Sequence, residues 1–84
     1  MTEKENFISD WLKQYLLKNN VNFTDKRYET RTKRLMNELL EKPPDLCLRQ
    51  QVLISNISFH RQTPGSNMAL LYQVLIDFID YLIH

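Results

Sequence analysis

The chain has 84 residues, a formal net charge of +1, one Gly, three Pro and a single Cys. That length allows one domain, residues 1–84, close to the lower limit for unaided folding, and so few turn formers among 43% apolar residues exclude a many-turned β protein. The near-neutral charge gives no overall attraction to nucleic acid or anionic lipid, and a lone Cys47 excludes an intramolecular disulfide.

A polar N-terminus leads into the first amphipathic stretch without a secretory signal peptide, so a cytoplasmic location is expected. Thr2 and Glu5 have the spacing of a capping box. Behind them Phe7, Ile8, Trp11, Leu12, Tyr15 and Leu16 form one apolar face, which predicts a helix. Lys18-Asn19-Asn20 is its stop, because Asn tolerates the left-handed cap conformation. Val21 and Phe23 then pin the connection onto the core.

Thr24 or Asp25 caps a second helix running to about Glu41. Tyr28, Leu35, Met36, Leu39 and Leu40 are its apolar positions, with Thr32 in the gap between them. Pro43-Pro44 ends it, since a residue before proline is pushed out of helical geometry. Its first half carries the strongest local charge, Lys26, Arg27, Arg31, Lys33 and Arg34. Arg27, Arg31 and Arg34 share a face that could meet phosphates or an acidic partner. The plainer reading is a solvated face balanced by Glu29 and Glu38, with i, i+4 pairs such as Arg34 with Glu38. No helix-turn-helix and no interleaved aromatics point to nucleic acid.

A third helix runs from Asp45 or Leu46 to about His60. Leu46, Leu53 and Ile57 mark one face and Leu48, Val52 and Phe59 another, with Ile54 off both. Two apolar stripes predict a helix sandwiched between neighbours, or one with a second face left for a partner. Cys47 is expected to behave as a small buried hydrophobe. Gln62 to Asn67 form the clearest loop, and Ser66 or Asn67 caps the last helix.

From Met68 to Ile83, 13 of 16 residues are apolar. Gln73, Asp77, Asp80 and His84 fall on one narrow line of that helix. Their carboxylates and imidazole superficially suit a metal, but no other helix offers matching carboxylates, so the line is read as the wetted edge of a core element. The apolar run is too short and too charged to span a membrane. No catalytic signature, phosphate loop or cofactor motif appears, so no enzyme, metal or cofactor is expected. Four helices with short connections predict an all-α, antiparallel four-helix bundle.

Helices three and four carry more apolar residues than one seam can bury, so a leftover strip is expected to bind a partner. The candidates on helix three are Leu48, Val52 and Phe59, and those on helix four are Leu70, Val74 and Tyr81. With the loop residues His60, Arg61, Gln62 and Asn67, the helix-four strip makes the expected partner surface, and Arg27, Arg31 and Arg34 make a secondary basic one.

The run Arg34-Leu35-Met36-Asn37-Glu38-Leu39-Leu40, then Pro44-Asp45-Leu46, Leu48-Arg49 and Ile54-Ser55-Asn56-Ile57, is followed by Gly65-Ser66 and by Leu71, Leu75 and Ile76. Over residues 34–79 this resembles the immunity proteins of class IIa (pediocin- or enterocin-like) bacteriocins. The resemblance implies a bacterial, cytosolic, non-enzymatic bundle that protects its producer by stoichiometric binding, engaging the mannose-type sugar permease once bacteriocin has attacked it. A composition rich in Lys, Asn, Ile and Leu suits a low-GC bacterial or phage genome. An alternative of another class is a phage- or plasmid-encoded helical regulator, a homodimer through the apolar strip, that binds another regulator or nucleic acid.

Overall fold

The computed structural model describes every residue except Met1, Pro43, Pro44 and Pro64. It is an all-α, antiparallel four-helix bundle with α1 at Glu3–Lys18, α2 at Lys26–Glu41, α3 at Leu46–Arg61 and α4 at Asn67–Ile83. The Pro43-Pro44 stop itself lies outside the described residues, but α2 ends at Glu41 as the sequence predicts.

Each helix starts on a side chain that satisfies an orphan backbone N–H. Thr2 accepts from Glu5, Asp25 from Arg27, Asp45 from Leu48 and Ser66 from Ala69. Where two cap residues fitted the sequence, the structure selects Asp25 and Ser66. The end of α1 is equally explicit. Asn20 takes a positive φ of 54°, Asn20 N–H donates to Leu17 O and Val21 N–H to Leu16 O. This is a Schellman motif with Asn in the left-handed position, and it turns the chain sharply toward α2.

The last helix is the axis of the core. Leu71, Val74, Leu75, Ile76, Phe78 and Ile79 are buried on it, whereas each of the other helices buries only two apolar residues, Ile8 and Leu12, Met36 and Leu39, or Leu53 and Ile57. Thr32 is buried between Tyr28 and Met36 because its hydroxyl donates to Tyr28 O at 2.7 Å, which removes the cost of a buried polar group. α4 packs closely on both α3 and α2, and α1 packs along α2.

α1 reaches α4 mainly through rings. Trp11 and Phe78 meet edge to face at 4.9 Å between centroids, and Phe7 lies 6.2 Å from both Phe78 and Tyr81. Such tilted pairs add about 0.5–1.5 kcal/mol each beyond the area they bury. Large rings between two helices hold their backbones apart, and α1 and α4 accordingly lack the close backbone approach that α3 and α4 have.

Candidate partner-binding surface

The rings of α1 decide where the surplus apolar surface ends up. Phe7 and Trp11 pack against Phe78 and Tyr81 of α4. Val74 is 0% exposed, which corrects its placement as a partner-binding residue. Leu70 is half-buried and packs on the core. Tyr81 stays 55% exposed, but its ring rests against Phe7 and Trp11. The line Leu70, Val74, Tyr81 is therefore not a continuous open strip: Val74 is buried in its middle and the ring of Tyr81 lies against α1.

The surplus emerges on α3 instead. Leu48, Val52 and Phe59 are 64%, 46% and 72% exposed. They lie on the side of α3 opposite Leu46, Leu53 and Ile57, which face the core. Of the two roles open to a doubly apolar helix, the structure selects the one with an outer face left free. Cys47 next to this face is exposed, not buried as expected. Its position on the solvent side of the first turn leaves no neighbour to cover it. Ile54 is also 43% exposed, and nothing in the fold explains it.

The residues grouped around the α3–α4 turn separate into different tasks. His60 is half-buried, edge on to Phe59 and to Tyr72 at 5.3 and 5.0 Å. Arg61 donates to Gln73 Oε1. Asn67 is structural, for its side chain accepts from Thr24 N at 3.0 Å and donates to Thr24 Oγ1 at 2.6 Å. That pair clamps the α1–α2 connection to the start of α4. Gln62 alone of these is exposed with no side-chain hydrogen bond among the described residues.

The polar line of α4 is also more than a wetted edge. Tyr15 Oη donates to Asp77 Oδ2 at 2.6 Å, and Gln73 Nε2 donates to Asp77 Oδ1 at 3.1 Å. Gln50 Nε2 reaches Asp80 Oδ1 at 2.8 Å and Ile76 O at 3.1 Å. Gln73 and Asp77 are half-buried, and the line thus links α4 to α1 on one side and to α3 on the other. Burial, and then the hydrogen bond to the Asp77 carboxylate, push the Tyr15 phenol well above its ordinary pKa. Among the described residues no group of His, Cys, Asp and Glu could hold a metal ion.

On α2 the basic face is partly neutralised from within. Arg27 forms a two-nitrogen fork on the cap residue Asp25, with contacts of 2.8 and 3.1 Å. The Arg27 guanidinium holds the Asp25 carboxyl below the usual range. Arg31 and Arg34 are exposed and have no ion pair among the described residues. The expected Arg34–Glu38 pair does not form. Glu29 and Lys33 make the i, i+4 pair instead, at 3.7 Å, in the Glu-before-Lys order that suits the helix dipole.

α2 and α3 both lean on α4 without closing on each other, which leaves a groove of about 440 Å³. Leu35, Leu39, Leu53 and Leu75 form its floor, and Glu38, Arg49 and Lys42 stand at its rim. No sequence signal marks it, because its walls come from three helices that only the fold brings together. Among the described residues no helix is long and apolar enough to cross a membrane. Comparison with protein-family models, curated proteins and solved structures gives no match.

Proposed function

We propose that this chain is a stoichiometric protein-binding bundle of the bacteriocin-immunity type, which works in the cytoplasm of the producing cell. The observation that supports binding is the outer strip of α3, where Leu48, Val52 and Phe59 stand in water. Soluble monomers carry few contiguous apolar patches of this kind unless they are used. The strip runs into the α3–α4 turn, so His60, Arg61 and Gln62 supply polar contacts at its end, in keeping with an apolar centre and a polar rim. The immunity role itself comes from the resemblance over residues 34–79, with the attacked sugar permease as the partner.

The regulator reading would use the same strip as a dimer seam and the basic face for nucleic acid. Asp25 already occupies Arg27, which leaves two open arginines per chain for that purpose and favours the protein-binding reading.

Expression in a bacteriocin-sensitive strain tests the proposal. Protection against at least one class IIa peptide, lost on Phe59→Ser at equal protein level, is the expected result. Unchanged sensitivity across a panel of such peptides would overturn it.

A further inference from the structure

We infer that one end of the bundle, formed by the α1–α2 connection, the first half of α2 and the α3–α4 turn, docks on an anionic lipid surface. The inference stands beside the immunity reading and does not rest on it.

The net charge of +1 hides a separation along the bundle. Antiparallel packing brings the second half of α1, the first half of α2 and the second half of α3 to the same end. There α1 contributes Lys13 and Lys18, α2 contributes Lys26, Arg27, Arg31 and Lys33, and α3 contributes Arg61. Among the described residues the acids at this end are Asp25 and Glu29. Seven cations thus stand against two acids here, and four cations against eight acids at the other end. The resulting +5 and −4 make up the +1 of the whole chain.

Pairing inside the molecule sharpens the difference. Asp25 and Glu29 are already held by Arg27 and Lys33, at 2.8 and 3.7 Å. Lys13, Lys18, Lys26 and Arg31 are exposed and have no ion pair among the described residues. Arg61 donates to the neutral amide of Gln73, which offsets none of its charge. The 16 residues of α1 make a helix about 24 Å long, so the centres of its two halves lie about 12 Å apart. That exceeds the roughly 8 Å screening length at physiological salt. A surface at the basic end is therefore shielded from the acids at the other.

A second observation selects lipid among polyanions. Leu17, in the last turn of α1 beside Lys18, is 68% exposed. An apolar side chain among cations gains from the boundary between headgroups and acyl chains, and a phosphodiester strand offers it nothing. The cations also come from three helices around one end of the bundle, which suits a plane of anionic headgroups. One apolar residue and a handful of cations give reversible attachment, as any single anchoring signal does. End-on docking leaves the outer strip of α3 open along the side of the bundle.

Co-sedimentation of the full chain with lipid vesicles tests this. Binding is expected to phosphatidylcholine vesicles that contain about 30% phosphatidylglycerol at about 0.05 M NaCl, and is expected to vanish at about 0.5 M NaCl or with phosphatidylcholine alone. Each Lys or Arg near such a surface is worth about fivefold in affinity, so Lys18→Gln with Arg31→Gln should weaken binding about 25-fold. Lys42→Gln with Arg49→Gln removes the same charge from the acidic end and should leave binding within about twofold. Leu17→Ser should weaken it at least about threefold with no change of charge. All five positions are exposed, and circular dichroism checks that helicity is kept. Equal loss from the two double variants, binding to phosphatidylcholine alone, or no binding to the anionic vesicles would overturn the inference. So would a salt-sensitive shift of labelled duplex DNA in place of vesicle binding. None of these readouts uses a bacteriocin, so failure here and failure of the immunity reading are told apart.

Discussion

Tyr15 and Asp77, 62 positions apart in sequence, are joined by a 2.6 Å hydrogen bond from the phenol to the carboxylate. It fastens α1 onto the polar line of α4, beside the ring cluster of Trp11 and Phe78. Tyr15→Phe keeps the ring stacked on Trp11 and removes only the donor. A loss of about 1–2 kcal/mol is expected in urea unfolding, in the range for a bond to a charged acceptor. The phenol pKa is raised in the folded state, so the neutral form favours the fold. Its contribution is complete below the unfolded-state value near 10 and is lost as pH rises above it. Wild-type stability should therefore fall above about pH 10, with a slope that Tyr15→Phe reduces. Equal slopes for the two proteins would refute this role.

Phe59 and Phe78 give opposite outcomes from the same substitution. Phe78 is 0% exposed at the meeting of α1 and α4, and Phe78→Ala should cost about 3–5 kcal/mol. That is a large part of the roughly 5–15 kcal/mol total expected of a small domain. Phe59 stands in solvent, and Phe59→Ala should leave the melting curve within about 0.5 kcal/mol while weakening protection of a bacteriocin-sensitive strain. Thermal and urea melts of the two variants, side by side with the protection assay, check both halves.

Asn67 looked like a partner contact in the sequence but acts as a clamp. Its two hydrogen bonds to Thr24 predict that Asn67→Ala costs about 1 kcal/mol or more of stability without loss of protection at equal protein level. A variant of wild-type stability that no longer protects would reverse that assignment.

The left-handed Asn20 yields an ordering. Asn20→Gly should be neutral or slightly stabilising, and Asn20→Ala should lose about 1 kcal/mol, since a Cβ is strained at positive φ. Chemical denaturation of the three proteins settles the order. An Ala variant as stable as wild type would show that the Schellman turn carries no such constraint.

Local chemistry was readable from the sequence, and its limits are instructive. The caps at Thr2, Asp25, Asp45 and Ser66, the Asn20 stop and the two faces of α3 are set by residues within a turn of one another. The surplus of apolar residues on α3 and α4 was also legible. Its location was not. Leu70, Val74 and Tyr81 on α4 look as open as Leu48, Val52 and Phe59 on α3 until Phe7 and Trp11 are known to lie over α4. The Tyr15–Asp77 bond and the α2–α3 groove are likewise products of helix placement, with no spacing along the chain to announce them. On α2, Arg34 and Glu38 have the same i, i+4 spacing as Glu29 and Lys33, but only the pair in dipole-favoured order forms.

The central claim is that this protein meets its partners on the outer face of α3 and not on α4. Protection of a bacteriocin-sensitive strain by surface variants of equal abundance tests it most directly. Loss of protection with Val52→Glu and with Phe59→Ser, and full protection with Tyr81→Ser, are expected. Protection that survives Val52→Glu, or that is lost only with substitutions on α4, would contradict it.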